Sequence, residues 1–106
     1  MVSLEFRKAY RKEINLPGTY TLLPEKIHTG RMLVLNVSKT GVGLQVVGKH
    51  RLSVDEELEV SFVLDDVHDS KINKKVVIKL VQGKYVGCEF LDVTSHDKAL
   101  GFYLMV

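Results

Sequence analysis

Two short segments hold the residue types best suited to recognising an anion. The first is Arg7-Lys8-Ala9-Tyr10-Arg11. A guanidinium is a planar fork of donors with a flat cationic face. The fork pairs with phosphate oxygens or with the O6 and N7 edge of guanine, and the face stacks on a base. Arg7 and Arg11 stand four residues apart, so both can embrace one compact ligand. The second segment is Asn36-Val37-Ser38-Lys39-Thr40-Gly41-Val42-Gly43. Asn and Ser side chains bond nearby backbone in turns. The Asn36 amide offers hydrogen bonds to a base edge, and the Ser38 hydroxyl offers one to phosphate. Gly41 and Gly43 permit backbone shapes closed to other residues and let a ligand approach closely. Taken singly, each segment also fits a plainer description: a solvated basic run and an ordinary hairpin turn.

Residues for catalysis are missing. The chain has no Gly-x-Ser-x-Gly elbow and no Walker-type loop. His28, His50, His68 and His96 are scattered, and none is paired at helical ligand spacing. Asp65-Asp66 and His68-Asp69 fall in a polar connection and read as a solvated loop, not a metal site. Cys88 alternates with Val86 and Phe90, which places it in the core and not among nucleophiles. As the sole cysteine it excludes a disulfide framework and a Cys-rich zinc site within the chain. The expectation is a non-enzymatic binding domain with no catalytic residue, metal or cofactor.

Positioning such residues requires a small core. The 106 residues suit one domain, with 45% hydrophobic and 26% charged residues, an ordinary globular balance. Net charge is only +2, so recognition of an anion must rest on where the charge sits. No apolar run approaches a membrane span, and the N-terminus lacks the apolar stretch of a signal peptide. A cytoplasmic location without membrane insertion is expected. The apolar ending FYLMV points to a module cut from a longer protein.

Residues 1–13 offer too little apolar surface for an independent element and read as a flexible basic arm before a domain over 14–106. Strand-like runs follow. Ile14 to Leu23 is interrupted by Pro17-Gly18, a turn or bulge signal. Arg31 to Val37 and Gly41 to Val47 are apolar and rich in branched residues. Glu57 to Leu64 puts Leu58, Val60, Phe62 and Leu64 on one face. Lys74 to Val81 puts Val76, Ile78 and Leu80 opposite Lys75 and Lys79. Tyr85 to Val93 aligns Val86, Cys88 and Phe90, and Gln82-Gly83-Lys84 joins the last two runs as a tight hairpin. Period two is the mark of a half-buried antiparallel sheet. Thr94-Ser95-His96-Asp97 reads as a helix start, with Leu100, Tyr103 and Leu104 at helical spacing and Gly101 weakening the helix. About six strands in so short a chain predict a small barrel, since closure removes exposed edges.

The order of the motifs is more specific than either alone. Arg7-x-x-x-Arg11, then a strand pair, then Asn36-x-Ser38-x-x-Gly41, with Gly87-Cys88-Glu89-Phe90 later, resembles the PilZ domain family over nearly the whole chain. The resemblance implies a six-stranded antiparallel β-barrel with a C-terminal helix. It also implies cyclic di-GMP as ligand, with Arg7 and Arg11 on guanine and phosphate. Asn36 and Ser38 would hold a guanine edge and nearby polar groups, and Gly41 would shape the turn. Lys8, Lys12 and Gly43 stand beside these as helpers. Many family members carry Asp in place of Asn36. A carboxylate accepts from both N–H groups of a guanine edge, whereas an amide has one oxygen and an NH2 that can be misdirected.

The expected mechanism is an arm that orders on binding and reorients a neighbouring domain or a downstream protein. Two other readings stay open. One is a protein-interaction adaptor of the same fold that ignores the nucleotide. The other is a barrel for single-stranded nucleic acid, for which 8% aromatic residues and no Trp offer little. No specific nucleic-acid partner is expected.

Overall fold

Alternating branched and polar residues form six strands: β1 (Lys12–Leu22), β2 (Thr29–Val37), β3 (Gly41–Val46), β4 (Glu57–Val63), β5 (Lys71–Gln82) and β6 (Tyr85–Phe90). One helix follows, α1 (Lys98–Met105). The computed structural model describes residues 11–26, 28–91 and 98–105. Arg7, Lys8 and the helix cap expected at 94–97 lie outside them. The strands pair antiparallel and close into a barrel in the order β1-β2-β3-β6-β5-β4, as expected.

Inward side chains fill the barrel. Met32, Leu44, Leu58, Leu64 and Ile78 are fully buried, with Val34, Val60, Val76 and Val86 between them. The inner faces expected of β4 and β6 are the ones found, because Leu58, Val60, Phe62, Val86, Cys88 and Phe90 are all buried. The β5–β6 hairpin is tight: Gln82 pairs with Tyr85 across Gly83-Lys84, and Gly83 takes the positive φ of 60° that this turn needs.

Helix α1 joins this core through Leu100 and Tyr103. The Tyr103 hydroxyl donates to Asp65 Oδ1. Lys12 Nζ donates to the Tyr103 carbonyl at 3.1 Å and lies 3.9 Å from the Tyr103 ring centroid. That carbonyl belongs to the helix's last turn, where no N–H of the helix can reach it. Burial and the Asp65 carboxylate raise the Tyr103 phenol above its usual value. The phenol therefore stays protonated and keeps donating.

The structure departs from the alternation pattern at three places. Lys12 and Glu13, read as the end of the arm, belong to β1. Pro17-Gly18 does not interrupt that strand. Pro17 pairs with Leu33 on β2, and the ladder to β4 begins one residue later at Gly18 and Phe62. A residue without an N–H is tolerated at a ladder's end. Leu80 is not on the inner face of β5 but 42% exposed, because the strand register shifts between Ile78 and Leu80.

Burial pushes the Cys88 thiol up to about 12, so the thiolate needed for nucleophilic chemistry is scarce at neutral pH. At pH 8 the native protein should be inert to a thiol-reactive disulfide reagent. The same protein unfolded in guanidinium should react fully, as followed by absorbance.

Candidate functional site

Three breaks in strand register fall on one row across the barrel. They lie between Glu13 and Leu16 on β1, between Val34 and Asn36 on β2, and between Ile78 and Leu80 on β5. The row itself runs Glu13–Asn36–Gly43–Gly87–Leu80 through successive strand pairs. On β2, Val34 faces Leu44 and Asn36 faces Gly43, which leaves Leu35 as the extra residue of a bulge. An extra residue inverts the inside–outside alternation beyond it. Val34 and Val37 therefore both reach the core, and Asn36 turns to the outer face. Lys79 does the same on β5, which is why Leu80 points outward over Gly87.

On that outer face the Asn36 side chain is held at both ends. Arg11 Nη1 donates to Asn36 Oδ1 at 2.8 Å. Asn36 Nδ2 donates to the Tyr85 hydroxyl at 3.3 Å. Arginine is donor-only, so the amide must present oxygen to Arg11 and nitrogen to Tyr85. Asn36 is 9% exposed, a burial that an unpaired amide would make costly. Gly43 makes the arrangement fit. A Cβ there would fall within 2.6 Å of Asn36 Nδ2 and 2.8 Å of Oδ1, and closer still to the Tyr85 hydroxyl.

The turn after β2 is built by Ser38. Its hydroxyl oxygen accepts from the N–H groups of Thr40 and Gly41, both at 3.1 Å, and its own N–H donates to the Gly41 carbonyl at 2.9 Å. Only 2% of Ser38 is exposed, so its oxygen serves the turn and is not presented to solvent. Gly41 also packs closely on β6. Its φ is not positive, and a Cβ there would collide with the Cys88 carbonyl of β6. The close approach at Gly41 and Gly43 is thus the chain's approach to itself.

The sequence residues therefore divide. Arg11, Asn36 and Gly43 meet at one place, Ser38 and Gly41 shape the adjoining turn, and Lys12 is engaged at the C-terminus of α1. Tyr85 was missed. It reads as an ordinary outward residue of β6 until β6 is known to pair with β3, which sets it across Gly43 from Asn36. Among the described residues, no three His, Cys, Asp or Glu side chains gather as a metal site, and no helix is long and apolar enough to cross a membrane.

The PilZ domain model matches residues 5–104, and the chain belongs to the PilZ domain family. No curated protein matches it in sequence. Among solved structures it is similar to the inhibitor of motility MotI/DgrA from Bacillus subtilis, at 20% identity and a TM-score of 0.78, over 93% of this chain and 49% of that one. It is also similar to the PilZ domain of YcgR from Escherichia coli, solved with c-di-GMP, at 13% identity and a TM-score of 0.74, over 94% and 89%. The MrkH–c-di-GMP complex from K. pneumonia matches at 15% identity and a TM-score of 0.70, over 93% and 49%. This chain thus spans about half the length of MotI/DgrA and of MrkH. At these identities the likeness is one of fold.

Replacing Ser38 by Ala strands the Thr40 and Gly41 N–H groups. Urea unfolding should show a loss of about 1–3 kcal/mol, the cost of polar groups left unmatched. Gly43→Ala should keep the barrel's circular dichroism while shifting the Asn36 side-chain amide in an NMR spectrum.

Proposed function

We propose that this domain binds cyclic di-GMP through Arg7, Arg11, Asn36, Ser38 and Gly41 and performs no chemistry on it. The observation that carries the reading is the 2.8 Å hydrogen bond from Arg11 to Asn36, which joins the two motif segments on one outer face of the barrel. A basic fork and an oriented amide lie side by side there. Arg11 suits a phosphate or the O6 and N7 edge of guanine. Asn36 Oδ1 retains a second lone pair for a guanine N–H. Ser38 and Gly41 would contribute by fixing the turn that holds Asn36. Arg7, four residues before Arg11, would close on the same ligand. Lys8 would add positive charge, while Lys12 ties the start of β1 to α1. Membership of the family that includes the YcgR PilZ domain, solved with c-di-GMP, and likeness to the MrkH–c-di-GMP complex support the ligand's identity.

The signal would pass to a neighbouring domain or a downstream protein in the cytoplasm, through the repositioned segment before β1. A second reading, a protein-interaction adaptor, is favoured by one feature. Val67 and Phe102 are exposed on a cleft of about 760 Å³ formed by the start of β1, the 65–70 loop and α1. Apolar side chains rimmed by polar residues suit a protein partner.

Titration calorimetry separates the two. Cyclic di-GMP should release or absorb heat with saturable binding, and Arg11→Ala or Arg7→Ala should each weaken it by about tenfold or more, as expected for a lost charge-assisted bond. A folded protein silent at high micromolar ligand would leave the adaptor reading alone.

A further inference from the structure

We infer that Tyr85 is a positioning residue for the guanine edge, pinning the Asn36 amide in place while its oxygen serves the ligand. The inference rests on the reading of this face as a cyclic di-GMP site. Asn36 poses a problem of orientation that an Asp would not. A carboxylate offers an acceptor whichever way it is turned, whereas an amide rotated by half a turn offers only N–H groups. Presented to a guanine N–H or to Arg11, those groups repel.

Arg11 fixes the orientation in the free protein, but Arg11 is itself a ligand-binding group. Once its fork turns to phosphate or base, its hold on Asn36 is shared or lost. Tyr85 does not have that second task. Its hydroxyl takes the Asn36 N–H from the opposite side, reaching from β6 across β3 over bare Gly43. The ring also lies beside Gly87, where a Cβ would come within 3.7 Å of Tyr85 Cε2. Its strand end is anchored. Lys84 O accepts from Val46 N–H at 2.8 Å. The Leu52 N–H donates to His50 Nδ1, so His50 Nε2 carries the proton and donates to Gly83 O at 2.7 Å. Tyr85 thus pins the far end of the amide after Arg11 has moved to the ligand, while the guanine N–H, a donor, keeps the oxygen turned to itself.

A cycle of four proteins tests this: the parent, Tyr85→Phe, Asn36→Ala and the double variant, each titrated with cyclic di-GMP by calorimetry. Tyr85→Phe keeps the ring and removes the acceptor. In the parent background it should weaken binding about tenfold, the worth of one hydrogen bond. In the Asn36→Ala background, where no amide is left to hold, it should weaken binding less than about threefold. Equal losses in both backgrounds, or none in the parent, would overturn the inference. If none of the four proteins binds, the cyclic di-GMP reading fails, and the ligand-free spectrum still decides the role of Tyr85. The Asn36 side-chain amide resonances should move in Tyr85→Phe, and their standing still would overturn it.

Discussion

Asn36 lies between a donor that cannot accept and a hydroxyl that can. Arg11 holds its oxygen at 2.8 Å, and Tyr85 takes its nitrogen at 3.3 Å. A hydrogen bond from a charged donor contributes about 1.5–3 kcal/mol and a neutral one about 0.5–1.5 kcal/mol. Leaving the mostly buried amide unpaired costs a similar amount. The charged bond is the stronger of the two, so a ligand that draws Arg11 away must return at least as good a partner to the Asn36 oxygen. A neutral guanine N–H alone falls short of that, so on the proposed reading a phosphate would also have to repay Arg11 with a charged bond.

The barrel supplies that arrangement by breaking its own regularity. A strand of strict period two would send Asn36 and Val34 to the same side, and an amide would sit in the core. The bulge at Leu35 instead buries Val34 and Val37 and frees Asn36 for the outer face. The bulge at Lys79 turns Leu80 out beside it. Two glycines, Gly43 and Gly87, pair between these bulged strands and leave the face low enough for Tyr85 to lie across it. Bulges that re-aim a side chain are common beside binding sites, and here the three register breaks share one row.

Much of the fold was legible because strand periodicity is a direct consequence of one-sided burial. Glu57 to Leu64 and the start of β6 could be assigned face by face. Leu80 could not, because a bulge is a property of two strands and leaves no mark on one. The motif residues Arg11 and Asn36 were legible by type and order, and their contact spans 25 residues of sequence. The close neighbours of Gly41 and Gly43 were hidden for the same reason as Leu80. What they admit is the Cys88 carbonyl and the Asn36–Tyr85 pair, both brought there by strand pairing. Tyr85 was hidden until β3 and β6 became neighbours.

The central claim is that the Arg11–Asn36 pair is where the ligand sits. NMR of the side chains during titration with cyclic di-GMP tests it most directly. The Asn36 amide and Arg11 guanidinium signals should move together and saturate with the ligand, while those of the barrel interior stay fixed. Saturable binding that leaves both signals unmoved would contradict it.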